Sequence, residues 1–517
     1  MGDTTVSGRR VTRKAPLAHV EGGSGRSEAS PTAILQDTHS VEGYSVLKNS
    51  LGARFHPESG TKYTDFGAFR ARFGVAISSV PTFSTRWLIP TASVRSLMGY
   101  PSGGTRKGEG WSRHDGIAGS AAVAGWSEAL GELHERVGHR FVRSEARKRV
   151  KRYLLGLLGQ VERKNGWQMA EAIGERDPQG VQRLLNSAKW DADAVRDDLR
   201  KYVVEHLGDQ QTGVLIVDET GFLKRGEKSV GVARQYTGTA GDTVNCQVGA
   251  FLAYSSGKGA AFIDRALYLP KGWTGDPARR EEAGVPEETV FRNKVELAEE
   301  MLERAFAAGV PARWVVADSF YGRLHSFREW LEARGRPYAV MVPKTNAVPL
   351  GGRKKKIEQH VERLPEDVWS EVRPAQDDGG RRPWEWACLD LAADSEKGMR
   401  RWLLVRRSTD DPEDVGFYQA YGPEGTPTEE LVRVCQDRWA IEQCFAEVKG
   451  EVGLDHYEVR KWDAWHRHVT LCLLAHAFLV VVRLAVREEE DAGRGPKRGI
   501  STPVSYTHLT LPTTPYV

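Results

Sequence analysis

Cysteine is scarce in this chain, with five in 517 residues, at positions 246, 388, 435, 444 and 472, and no two of them form a CxxC pair. Such usage excludes a disulfide-stapled scaffold, argues against a structural zinc site and suits a reducing compartment. A strong net charge is also missing: 73 Lys and Arg against 69 Asp and Glu leave a formal +4, so the balance is only mildly basic. No apolar run follows the basic N-terminal residues Arg9, Arg10, Arg13 and Lys14, so a secretory signal is not expected. The most apolar stretch, Leu471 to Val482, is too short to span a bilayer. What remains is a chain that is 40% hydrophobic and 27% charged, with a mean hydropathy of −0.48. Those values fit a soluble protein of more than one domain with a sizeable core. The expectation is a cytoplasmic protein with no membrane partner.

Residues 1–125 are rich in Gly and Ser and show no sustained period, so they are expected to be disordered or not native coding sequence. From Trp126 the texture changes. Leu130, Leu133, Val137 and Phe141, then Val150, Leu154, Leu157 and Leu158, recur at helical spacing. Between His134 and Asn165 stand ten Lys or Arg against three Glu. With Arg147, Lys148, Arg149, Lys151 and Arg152 at its centre, this cluster marks residues 126–208 as an all-helical DNA-binding region. Two or three short helices with a turn at Arg176 to Pro178 complete a helix-turn-helix-like module. An ordinary helical bundle with a wet basic face has the same pattern.

Strand signals follow over residues 209–344. Gly213 to Val217 is an apolar run ending at Asp218; Val230, Val232 and Tyr236 alternate; Cys246 to Tyr254 alternates for nine residues. A helix is expected over about Glu287 to Ala308, a strand over Arg313 to Ala317 ending at Asp318, a helix near Ser326 to Arg334, and a strand over Tyr338 to Val342. Residues 345–425, with the basic run Arg353 to Lys356 and β-like pieces at Trp384 to Leu391 and Arg401 to Val405, form a β-rich insertion. Helices at Thr428 to Lys449 and Val469 to Val486 occupy 426–490, the second apolar on most sides and so expected to be buried. Residues 491–517 are a tail. Its last stretch, ISTPVSYTHLTLPTTPYV, has no charged residue and is expected not to be evolved protein.

Asp218 and Asp318 both follow apolar strands, a place where an α/β sheet opens a crevice and where two carboxylates can share a hard cation. Either alone could equally be a turn or a helix cap. On the later helix, Arg438, Glu442 and Lys449 fall within one stripe at about 100° per residue. Glu447 lies toward the far side. An i,i+4 pair on a solvated surface would look the same. Glu219 is expected to point away from Asp218 and to support rather than ligate. His466 and His468 are expected at the surface or on a phosphate. Trp384 and Trp386 are candidates for stacking on an extruded base or, more blandly, for core.

This order of strands, helices and acids resembles the ribonuclease H-like core of DDE transposases of bacterial insertion sequences, over about residues 126 to 490. The likeness is sharpest in VDETGFLKRGEKSVGVARQYTGTAG, in ADSFYG and in RWAIEQCFAEVKGEVGLDHYEVR. The last matches a Y-x2-R-x3-E-x6-K signature at Arg438, Glu442 and Lys449, and departs from it at the tyrosine, where Cys435 stands. The resemblance implies an α/β fold: a ribonuclease H-like catalytic core with a β-rich insertion, preceded by the helical DNA-binding region. It implies that Asp218, Asp318 and Glu442 are catalytic and hold two Mg2+ ions, with Mn2+ able to substitute, and that Arg438 and Lys449 bind DNA phosphates. The implied function is metal-dependent cleavage and strand transfer at the ends of the element's own DNA. The implied partners are double-stranded DNA at terminal inverted repeats, target DNA, and a second copy of the chain in a synaptic homodimer associated with the nucleoid. A catalytically inactive DNA-binding relative and a ribonuclease H-like repair nuclease are the competing readings.

Overall fold

A computed structural model describes residues 120–372, 384–394, 398–411 and 413–493. The expectations for residues 1–119 and 494–517 lie outside these. Helix α1 (Ser120–Gly138) begins six residues before Trp126, on a small-residue run that favours helix. It is followed by α2 (Ser144–Leu158), α3 (Gly166–Ala172), α4 (Gln179–Asn186) and α5 (Ala192–Leu207). Asn165 and Asp191 accept backbone N–H bonds at the starts of α3 and α5.

A mixed sheet then builds from β1 (Val214–Leu223), β2 (Ala233–Thr237), β3 (Asp242–Ser256) and β4 (Gly259–Leu267). Four strands stand where three were expected. β4 escapes a pattern reading because Asp264 and Arg265 interrupt its apolar run. Both are buried in an ion network, Asp264 with Arg304 at 2.9 Å and Arg265 with Asp193 at 2.7 Å. The short helices α6 (Lys271–Thr274) and α7 (Pro277–Ala283) precede α8 (Lys294–Ala307). That helix starts at Lys294 rather than near Glu287 because Asn293 and Glu296 form a reciprocal capping box. β5 (Trp314–Ala317), α9 (Ser319–Gly322), α10 (His325–Ala333) and β6 (Tyr338–Met341) follow.

The β-rich stretch opens with the hairpin β7 (Ala347–Leu350) and β8 (Arg353–Lys356), a sheet of its own, and the short helix α11 (Ile357–Val361). Its remaining strands, β9 (Trp369–Glu371), β10 (Trp384–Asp394), β11 (Met399–Ser408) and β12 (Val415–Pro423), extend the main sheet. The strand order is β2-β3-β1-β5-β6-β12-β11-β10-β9, with β4 on β3. β1, β5 and β6 are mutually parallel, and β12 joins β6 antiparallel. Trp386 is 1% exposed and packs on Tyr418, so it belongs to the core, and Trp384 lies under the Arg406 guanidinium at 3.9 Å.

Helices α12 (Thr428–Asp437) and α13 (Trp439–Gly450) meet at Arg438, and α14 (Trp462–Gly493) follows. The stretch Trp462–Glu489 of α14, 28 residues, is long and apolar enough to cross a membrane, a length the apolar run alone did not suggest. Here the helix packs on β4 and on α5, and most of its apolar stretch is buried.

Candidate functional site

β1 and β5 pair in parallel up to Val217↔Ala317, and the next residue on each strand is an aspartate. Register therefore sets Asp218 beside Asp318. β1 does not end there, because β3 continues to pair it from Asp218↔Phe251 to Leu223↔Cys246. The crevice opens because β5 leaves the sheet: Asp318 becomes the N-cap of α9, its carboxylate accepting from the backbone N–H of Phe320 at 3.0 Å and of Tyr321 at 3.4 Å. Gly322 closes that turn, and a Cβ there would lie 1.9 Å from the Met341 carbonyl oxygen. Gly322→Ala is expected to destabilise the protein by about 1–3 kcal/mol through this backbone clash. A urea midpoint equal to wild type would show that the turn yields freely.

Burial drives the Asp218 carboxyl well above the usual carboxylate range, and the charges of Asp318 and Glu219 push it further. Asp318 is pushed up to about 6 by burial and by Glu219, against the restraint of its two backbone hydrogen bonds and of Arg438. Two half-buried acids thus repel each other in one crevice. Glu219 does more than the alternation of a strand suggests. Its carboxylate accepts from Lys294 at 2.8 Å and is within electrostatic reach of both aspartates and of the buried Tyr321 phenol. Lys294 also stands 4.9 Å from the Phe320 ring. The adjacency of Asp and Glu after an apolar run was a signal for Glu219; Lys294, at the start of a distant helix, had none.

Helix α13 lies against β1 and β3. Arg438 holds Glu442 at 2.6 Å, and Lys449 donates to the Thr220 hydroxyl at 2.7 Å, two residues beyond Asp218 on the same strand. Burial lowers the Lys449 pKa, while the charges of Asp455 and Asp218 oppose that shift. Glu447 is bound elsewhere, by His476 at 3.1 Å and Arg483 at 3.0 Å. Cys435 is buried, 1% exposed, on α12. A phenol instead reaches Arg438 from β12: the guanidinium beside Tyr418 offsets part of the upward shift that burial gives it.

Asp218 and Asp318 supply the hard oxygen donors a divalent cation takes, and a cation between them would offset the burial and the neighbouring negative charges that raise their pKa values. Glu442 is turned to Arg438, and among the described residues no three His, Cys, Asp or Glu side chains converge as a metal-holding group. His468 corrects the surface expectation. It is buried, with the Tyr153 hydroxyl 2.8 Å from Nδ1, and burial lowers it to about 3, so it is neutral. The reason is that the helical region packs over α14. Within the basic cluster, Arg147 donates to the carbonyls of Gly138 and Phe141, at 3.0 and 3.2 Å, and Arg149 pairs with Glu175 at 2.8 Å. Lys148 and Arg152 are exposed and Lys151 is half-buried.

Three comparisons bear on this arrangement. The family described as DDE superfamily endonuclease matches residues 133–397, a span that contains both aspartates and ends before Glu442. The "Probable transposase for insertion sequence element IS701" of Microchaete diplosiphon is 26% identical over 278 residues, covering 53% of this chain and 67% of that protein. Among solved structures, Ciona intestinalis Endonuclease V in complex with a 24mer DNA containing an inosine followed by a ribo-adenosine is 9% identical. It covers 50% of this chain and 96% of its own at a TM-score of 0.24, a likeness that carries no argument.

Proposed function

This chain belongs to the DDE superfamily endonucleases and is a transposase, and from that premise we propose how its side chains carry the work. The reading is of a ribonuclease H-like core that cuts and joins DNA at the ends of its own insertion sequence. Its support in the fold is the antiparallel set β1, β3 and β4 followed by parallel β5 and β6. The observation that carries the chemistry is the pair of half-buried aspartates placed side by side by strand register. Asp218, Asp318 and Glu442 would hold two Mg2+ ions, with Mn2+ able to substitute. Metal ions at such a site activate an attacking oxygen and stabilise the leaving oxygen of an in-line phosphoryl displacement.

The chain's own groups do the rest. Arg438 offers a planar fork and Lys449 a point charge to the phosphates beside the scissile bond. Lys294 neutralises Glu219, which limits the negative charge the crevice must tolerate. Residues 126–208 bind end duplex through Lys148, Lys151 and Arg152, while Arg147 and Arg149 also brace the fold that presents them. The partners are the terminal inverted repeats, target DNA and a second copy in a synaptic homodimer, all in the cytoplasm at the nucleoid. Incubating the purified protein with duplexes carrying its element's ends and Mg2+ should give cuts at the element boundary. Binding without cutting in Mg2+ or Mn2+ would favour an inactive relative, and cutting without end preference a repair nuclease.

Metal binding has a readout apart from cleavage. Asp318 titrates near 6 folded and about 4 unfolded. A carboxyl raised by folding contributes stability below its unfolded pKa and loses it as pH rises through the folded one. Metal-free protein should therefore lose thermal stability from about pH 4 to about 6 on account of this site, and Mg2+ should raise Tm most above that window. Scanning calorimetry with Mg2+ or EDTA at pH 5 and 7.5 checks this. A Tm indifferent to Mg2+ at both pH values would remove the aspartate pair as a metal site.

A further inference from the structure

The eight residues of α4 divide cleanly between inside and outside. Gly180, Val181, Leu184 and Leu185 are buried, and Gln179, Gln182, Arg183 and Asn186 are exposed. At about 100° per residue, those exposed positions make a single stripe. With Ser187 they line a recess of about 290 Å³. The helix contains no Asp or Glu. The two acids of the preceding turn are engaged: Asp177 accepts from the Gln179 N–H at 2.8 Å, and Glu175 holds Arg149 at 2.8 Å.

The helix is firmly seated. A Cβ on Gly180 would lie 2.0 Å from Glu175 Oε2 and 2.7 Å from Arg149 Nε, so glycine lets that ion pair close over the start of α4. At the other end Arg467, buried on α14, donates to the carbonyls of Leu185 and Trp190, each at 3.0 Å. A Cβ on Gly166, which opens α3, would lie 3.7 Å from the Gln182 side chain, and the next residue, Trp167, is 67% exposed. Gly174 at φ 75° turns the chain between the two helices. The result is a helix-turn-helix pair whose second member shows solvent three amides and a guanidinium.

Side-chain chemistry selects the partner. A merely solvated helix face usually mixes acids with bases, whereas this one has amides and one cation, with Arg176 and Lys189 exposed close by in sequence and Lys148 and Arg152 exposed on α2, which packs against α4. Gln and Asn amides match the adenine edge, the Arg fork matches guanine N7 and O6, and the major groove admits an α-helix. We propose, resting on the transposase reading, that α4 enters the major groove of element-end duplex and that Gln179, Gln182, Arg183 and Asn186 read its bases.

The test uses the full chain, fluorescence anisotropy, and two duplexes: one from the end of the element and one scrambled to the same composition. Arg183→Lys keeps the charge and loses the fork, so it should retain affinity for scrambled DNA and lose about tenfold or more of its preference for the end. Gln182→Ala and Asn186→Ala should each become indifferent to one base-pair change that weakens wild type. Lys148→Ala should instead weaken both duplexes alike and flatten the salt dependence. Since the varied side chains are exposed, unchanged thermal midpoints are expected to accompany these effects. If the Arg183, Gln182 and Asn186 variants keep wild-type preference, α4 is only a wet face and the proposal falls while the transposase reading stands. A wild-type protein with no preference for element ends would overturn both.

Discussion

Asp218→Ala and Asp318→Ala are each expected to lower strand cleavage by on the order of 10³-fold or more, with binding of element-end duplex largely intact. Strand register places the two carboxyls together at the point where β5 leaves the sheet, and their shared burial is a cost the fold bears for a reason other than stability. On the proposed reading the helical region holds most of the duplex, so losing one acid should not release it. Without metal, each variant removes a like charge from the crevice, so at pH 7 the Tm of Asp218→Ala should equal or exceed that of wild type, whereas Asp318→Ala also loses the N-cap of α9 and should gain less. Cleavage with Mg2+ and thermal unfolding with EDTA, measured on the same preparations, check both halves. Near-wild-type cutting by either variant would take that residue out of the site.

What could be read from residues alone was the part of the fold where pattern and chemistry coincide. The apolar runs before Asp218 and Asp318 became β1 and β5, and the helix expected around Glu442 and Lys449 became α13, with Arg438 at its N-cap paired to Glu442. Contacts made by partners distant in sequence were not readable. β1 runs on through Asp218 because β3 pairs it, which no local pattern announces. β4 was hidden by charges that are satisfied by partners distant in sequence, among them Asp193 and Arg304. His468 was misjudged for the same reason: polarity argues for the surface, and only the packing of the helical region over α14 buries it. The pairing of Glu219 with Lys294 likewise exists only once α8 has folded against the sheet.

The signature helix separates positioning from metal binding. Arg438 and Lys449 cannot ligate a cation, yet one holds Glu442 and the other is anchored on Thr220 of β1, so both stand at the rim of the crevice. On the proposed reading a phosphate entering there would compete with Glu442 for the Arg438 fork, and the carboxylate released from that pair would be free to face the aspartates. Arg438→Ala and Lys449→Ala should therefore keep their response to Mn2+, weaken the complex formed before cleavage, and slow cutting by about 10²-fold or more through lost alignment of the scissile phosphate. Glu442→Ala should lose cutting together with Mn2+ affinity, because it removes an oxygen donor rather than a guide. Lys449→Arg, which keeps charge but cannot reproduce the single bond to Thr220, should fall between wild type and Lys449→Ala. Titrating Mn2+ against each variant while following both complex formation and cleavage distinguishes these classes. If the Arg438 and Lys449 variants match wild type in both measurements, the stripe is only a solvated helix face, and the pairing of Arg438 with Glu442 is an ordinary i,i+4 bridge.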